Sequence, residues 1–239
     1  MSKGPSLPPL PPRAWIPNAA TMANIVAGFL SMFQAAAGHF DRAVYLLVVA
    51  ILLDTFDGRL ARALNATSDL GQQLDSFSDA LSFGAAPAFL VYQASLHRLG
   101  TLGMAGAILY LLAGVFRLAR FNLLSDAHAK SHRTIGVPIP IGAGYVMAAV
   151  LMRERMGAPW VLVLVVVMCA LMVSRWRLPD LKGKTLVSAA LVVGIVNYLA
   201  VVAYPNWWTV GWWNVWNVVI VLLARQEDRR DLTAISPAT

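Results

Sequence analysis

Four carboxylates stand close together in an otherwise oily chain: Asp54 and Asp57, three apart, and Asp75 and Asp79, four apart. If each pair sits on a helix, its members share a face. Carboxylate oxygens are the ligands a hard divalent cation prefers, so two such faces meeting would make a metal site. The same stretch carries Gly58, Ala61 and Gly71, whose small side chains let a helix backbone or a flat ligand approach closely. It also carries Arg59 and Arg62, and an arginine fork can bond two phosphate oxygens at once. The chemistry this set suits is transfer on a phosphate-bearing substrate held through metal, which needs charge stabilisation and an aligned nucleophile. Four acids can divide that work, some holding metal and one accepting the proton of an attacking hydroxyl.

Two other readings compete. Structural ion pairs would account for the Asp and Arg residues. A cation channel or transporter would account for the carboxylates, but not for the spacing of the glycines and arginines.

The elements that must position these residues are apolar. Of 239 residues, 58% are hydrophobic and only 13% charged, against about 25% charged in an ordinary soluble domain. A carboxylate at membrane depth costs several kcal/mol unless paired, hydrated or liganded, so an acid cluster there marks a functional site. Apolar runs predict spans at about 19–38, 41–60, 72–96, 101–120, 136–152, 157–174, 184–204 and 207–224. With the amino terminus inside, 15 of the 19 basic residues fall on the cytoplasmic side, all but Arg42, Arg98, Arg153 and Arg155. The expectation is therefore an all-α polytopic integral membrane helical bundle of about eight transmembrane helices, with both termini cytoplasmic. A flexible arm is expected over 1–14, a single membrane domain over 15–224 and a polar tail over 225–239. The start shows no cleavable signal-peptide pattern.

Composition narrows the partners. The formal charge of +7 sits in short loops rather than in a continuous stripe, which argues against nucleic acid and for orientation signals and anionic headgroups. The single cysteine, Cys169, excludes an internal disulfide and a thiolate metal site. Trp207, Trp208, Trp212, Trp213 and Trp216 read as interfacial anchors. His97, His128 and His132 match no site motif, and Lys130 and Arg133 beside the last two could attract an acidic lipid head.

The acidic stretch resembles a known signature. Asp54-x-x-Asp57-Gly58-x-x-Ala61-Arg62, eight residues to Gly71, three to Asp75 and three to Asp79 matches that of the CDP-alcohol phosphatidyltransferases without a departure. The resemblance implies an integral-membrane helical enzyme that binds a CDP-linked lipid and divalent metal, Mg2+ or Mn2+, as two ions. It transfers the phosphatidyl group to an alcohol and releases CMP. By the same resemblance Asp54, Asp57 and Asp75 hold metal, and Asp79 joins them and is the general base. Gly58, Ala61 and Gly71 give room for the cytidine, with Arg62 near the nucleotide.

Further stretches resemble the membrane-embedded phosphatidylserine synthases of that family: IPNAATMANIVAGF at 16–29, LDSFSDALSFGAAPAF at 74–89, FRLARFN at 116–122 and GVPIPIGAG at 136–144. They imply CDP-diacylglycerol as donor and L-serine as acceptor, rather than glycerol 3-phosphate, an inositol phosphate or another amino alcohol. They also imply a prokaryotic cytoplasmic membrane with the site facing the cytoplasm, and a homodimer for which the sequence carries no clean interface signal. In this reading Asn18, Thr21 and Asn24 hydrogen-bond pyrophosphate or cytosine, capping being the alternative. Ser78, Ser82, Arg117, Arg120 and Asn122 bind acceptor or phosphate; local backbone bonding competes for the serines, and cytoplasmic-loop charge for the arginines. Pro138 and Pro140 would kink the fifth span or mark its boundary.

Overall fold

The structure, a computed structural model, describes residues 13, 15–127, 135–176 and 184–235, with side chains up to 123, over 135–176 and over 188–223. His128, Lys130, His132, Arg133 and most of the arm and the tail's last residues lie outside the described residues.

Helix α1 runs Trp15–Ala36 and α2 runs Phe40–Ala63. Pro17 is tolerated in the first turn of α1, where backbone N–H groups have no helical partner. Gly38 ends the helix with φ +79°, a left-handed conformation that suits glycine. His39 N–H bonds back to Gln34 O at 2.8 Å and Gly38 N–H to Ala35 O at 3.1 Å, closing the helix end. The turn is so short that α2 must return alongside α1, and Ser31 Oγ donates to Ala43 O at 3.0 Å across the pair.

After α2 the chain turns through Asn65, at φ 50°, and Ser68 caps the next helix by accepting from Gly71 N–H at 3.1 Å. That helix is continuous in three segments: α3 (Asp69–Asp79), a π-helical stretch (Ala80–Ala85) and α4 (Ala86–Ala94). A Cβ on Gly28 would lie 2.9 Å from Ser82 Cα, so α1 crosses the π-helical stretch at near backbone contact. Tyr110 Oη donates to Phe83 O at 3.2 Å, supplying a donor where the helix widens. A 3-10 turn (Leu96–Leu99) leads into α5 (Gly100–Ala127), followed by α6 (Ile139–Leu151), α7 (Ala158–Val173), α8 (Lys184–Ala203) and α9 (Trp207–Ile235). Leu47, Phe83, Leu90, Tyr110, Ile139, Met147 and Met172 are fully buried between them. Phe29 and Phe33 on α1 and Leu112 and Phe116 on α5 point outward, an apolar exterior suited to lipid.

The all-α architecture is found, and α3 to α4 counts as one rod among eight helices of the described residues. The expectation of about eight membrane spans is not. Among the described residues, only Trp15–Ala36 and Leu96–Leu123 are long and apolar enough to cross a bilayer by length and composition. The reason is where the helices begin and end. The run at 136–152 becomes helical only after Pro138, giving an α6 of 13 residues, and α7 has 16. At 1.5 Å per residue both fall short of a hydrocarbon core of about 30 Å. In α2 the apolar run is broken by Asp54, Asp57, Arg59 and Arg62, and α3 is polar along most of its length. The eight-span topology with both termini cytoplasmic, inferred from those runs, is corrected accordingly.

Candidate metal and nucleotide site

The carboxyl-terminal half of α2, the length of α3 and the start of α1 converge on one cluster. Asp54, Asp57 and Asp75 each offer a carboxylate oxygen, and these oxygens lie within 4.8 Å of one another. Asp57 is 3% exposed, and Thr21 Oγ1 reaches its Oδ2 at 2.6 Å. Asp79 hydrogen-bonds the Asp54 side chain, while its Oδ1 is buried with no partner. Two carboxyl groups in contact need a proton or a cation between them. The donor set, all oxygen and with one buried oxygen unpartnered, fits a hard divalent cation. In α3, the Asp75 carboxyl is pushed up to about 6, first by desolvation and then by the Asp57 carboxylate, with the Arg62 guanidinium opposing.

A cavity of about 420 Å³ opens directly beside the acids. Its wall includes Asn18, Thr21, Asp57, Gly58, Ala61, Arg62, Gly71 and Asp75, which is every residue expected to touch the CDP-lipid except Asn24. Asn24 is fully buried, with neither side-chain polar atom partnered. A Cβ on Gly58 would meet only Arg62 Nη1, at 3.7 Å, so this glycine leaves open floor. A Cβ on Gly71 would sit 3.2 Å from Asn18 Oδ1, so that glycine lets the amide approach. The wall also contains Thr67, Ser68, Asp69 and Gln72, which sequence reasoning passed over. The helix-start pattern Thr-Ser-Asp was the available signal, since it places a cap, and with it a polar rim, between the two acid pairs.

The residues expected at the acceptor site are placed differently from one another. Ser78 and Ser82 are fully buried and donate to α1 carbonyls, Thr21 O at 3.5 Å and Asn24 O at 3.1 Å. Asn122 Nδ2 donates to Ser76 Oγ at 3.0 Å. Arg120 donates to Val173 O at 2.8 Å and to Met172 O and Ile135 O at 3.1 Å. Arg117 is 6% exposed, its charge acting on Asp79.

This constellation of acids, glycines and arginine around one cavity is carried by residues that match a family model. Residues 14–176 match that of the CDP-alcohol phosphatidyltransferases, and the chain belongs to that family. It is thus a membrane-associated, metal-binding transferase of phospholipid metabolism. Similar chains include one from Helicobacter pylori, 35% identical over 180 residues, which is 73% of this chain and 76% of the relative. Others come from Bacillus subtilis, 38% identical over 126 residues (53% and 70%), and Methanocaldococcus jannaschii, 38% over 128 residues (54% and 56%). All three are named CDP-diacylglycerol–serine O-phosphatidyltransferase.

Proposed function

We propose that the protein transfers the phosphatidyl group of CDP-diacylglycerol to L-serine, forming phosphatidylserine and releasing CMP. The observation that carries this reading is that Asp57 and Asp75 belong both to the acid cluster and to the wall of the cavity. A cytidine lying over Gly58, Ala61 and Gly71 would therefore present its pyrophosphate to the carboxylates. A divalent cation held there, Mg2+ or Mn2+ and two ions in this reading, supplies positive charge to the pyrophosphate oxygens. Arg62 at the cavity wall adds a fork for the same phosphates.

Asp79 is the general base. Its unpartnered Oδ1 takes the proton of the acceptor hydroxyl as that oxygen bonds to the lipid-side phosphorus. The phosphorus–oxygen bond to CMP breaks, and CMP leaves with the electron pair. Serine as acceptor is supported by the names of the relatives, at 35% to 38% identity. We place the enzyme in a prokaryotic cytoplasmic membrane with the site toward the cytoplasm, because the charges of Arg62 and Arg117 act on the acid cluster and basic residues favour the cytoplasmic face.

An acceptor panel tests the reading. Purified protein with CDP-diacylglycerol and Mg2+ or Mn2+ should release CMP with L-serine. Release with glycerol 3-phosphate or an inositol phosphate and none with serine would overturn the acceptor, and no release with any alcohol would overturn the enzyme.

A further inference from the structure

The turns after α6 and α8 meet the start of α2 at the end of the molecule away from the acid cluster. Asp41 and Asp57 lie sixteen residues apart on α2, about 24 Å at 1.5 Å per residue. A second cavity, of about 310 Å³, opens among these segments, with Asp41, Tyr45, Arg153, Glu154, Arg155 and Pro205 on its wall. Arg153 is used up in building it. Its Nη1 donates to Asp41 Oδ1 at 2.9 Å and to Val150 O at 3.1 Å, and its Cζ stands 5.3 Å from the Phe40 ring centroid. Arg155 donates through Nη1 to Pro205 O. Neither its guanidinium nor the exposed Glu154 carboxylate has an ion-pair partner among the described residues.

Where this end lies decides what fills the cavity. Helix α1, long enough to cross a bilayer, starts at the nucleotide cavity and ends at the turn into α2. The second cavity therefore belongs to the opposite membrane face. Trp160, Tyr204, Trp207 and Trp208 flank its turns, each more than half exposed, and such aromatics sit at headgroup level. Glu154 and Arg155, consecutive in the chain and both on the wall, supply one charge of each sign. The arginine fork suits phosphate oxygens, and the carboxylate accepts from an ammonium. Tyr45 adds a ring that favours the same cation. We propose that this cavity binds the headgroup of a zwitterionic phospholipid from the leaflet opposite the acid cluster, with its phosphate on Arg155 and its ammonium on Glu154. A headgroup without the ammonium leaves Glu154 unmatched. Lipid held there braces α2, through the Arg153–Asp41 pair, at the end opposite Asp54 and Asp57.

The test follows Tm of the purified full-length protein in detergent as phosphatidylethanolamine, phosphatidylglycerol or soluble glycerophosphoethanolamine is added, for the wild type, Arg155→Gln and Glu154→Gln. Tm without lipid reports whether each variant folds. If Arg155→Gln does not, Glu154→Gln, which has no bond to lose, is read alone. Phosphatidylethanolamine should raise the Tm of the wild type more than phosphatidylglycerol does, and the soluble headgroup should leave it unchanged. Apparent affinity for phosphatidylethanolamine should weaken on the order of tenfold in Arg155→Gln, as for the loss of hydrogen bonds to a charged group. Glu154→Gln should erase the preference for the ammonium-bearing lipid. Equal gains from the two lipids in the wild type, or gains that both variants keep in full, would overturn the inference. An equal response to glycerophosphoethanolamine would overturn the lipid as occupant and assign the cavity to a soluble phosphodiester.

Discussion

Thr21 Oγ1 lies 2.6 Å from Asp57 Oδ2, joining the second turn of α1 to the acid-bearing end of α2 across 36 positions. The Pro17 carbonyl is 3.1 Å from the same hydroxyl. One proton serves both contacts, and the carboxylate, charged and nearer, takes it. The bond fixes which carboxylate lobe of Asp57 faces Asp54 and Asp75.

Thr21→Val keeps the side chain's size and removes the donor. Groups that orient a metal ligand from behind are typically worth about 10–100-fold in metal affinity or activity. The variant should therefore bind Mn2+ at least tenfold more weakly in a calorimetric titration, while Thr21→Ser should stay close to wild type. Equal affinity in Thr21→Val would show that Asp57 is held by packing alone.

Gly28→Ala tests the crossing of α1 over the π-helical stretch. The new Cβ would stand 2.9 Å from Ser82 Cα, a backbone atom that cannot swing away. Overpacking of this kind costs about 1–3 kcal/mol. A lower Tm in detergent is expected, together with reduced kcat, because Ser82 and Asp79 share the displaced segment. An unchanged Tm would mean that the two helices part without penalty.

Much of the candidate site was legible in the sequence and much of the membrane topology was not, for different physical reasons. The acids, Gly58, Ala61, Arg62 and Gly71 are read through helical spacing, which is local, and the cavity wall gathers the nucleotide-side residues of that set. Ser68 could have been read as a cap in the same way. The hydrogen bonds of Ser78, Ser82 and Arg120 go to carbonyls on other helices, whose positions arise only when the helices cross. No one-dimensional pattern carries that. The span count failed because hydropathy runs continue through Pro138 and across turns, whereas helices stop there.

Arg120→Ala separates the two arginines of α5. Three carbonyls lose their donor, and net contributions of about 0.5–1.5 kcal/mol per bond, more for charged donors, predict a large drop in Tm. In the fraction that stays folded, KM for serine should be near wild type. A selective rise in that KM would assign acceptor binding to Arg120.

Metal affinity should depend on pH. Burial and the Asp57 carboxylate push the Asp75 carboxyl up to about 6, and only its deprotonated form is a ligand. Protonation competes with metal, and burial pushes Asp54 of the same set up to about 7, so affinity should weaken as pH falls through about 7 and on through about 6. Mn2+ titrations between pH 5 and 8 check this, and a flat profile would remove Asp75 from the ligand set.

In the proposed function the acid cluster and the cavity beside it perform one transfer, from CDP-diacylglycerol to serine. Its most direct measure is the yield of CMP and of phosphatidylserine in the same reaction, with purified protein, isotopically labelled L-serine and Mg2+ or Mn2+. One phosphatidylserine is expected for each CMP, both abolished by chelation of the metal and by Asp79→Asn, whose nucleotide affinity is retained. CMP formed without labelled lipid, or equal yields from Asp79→Asn, would contradict it.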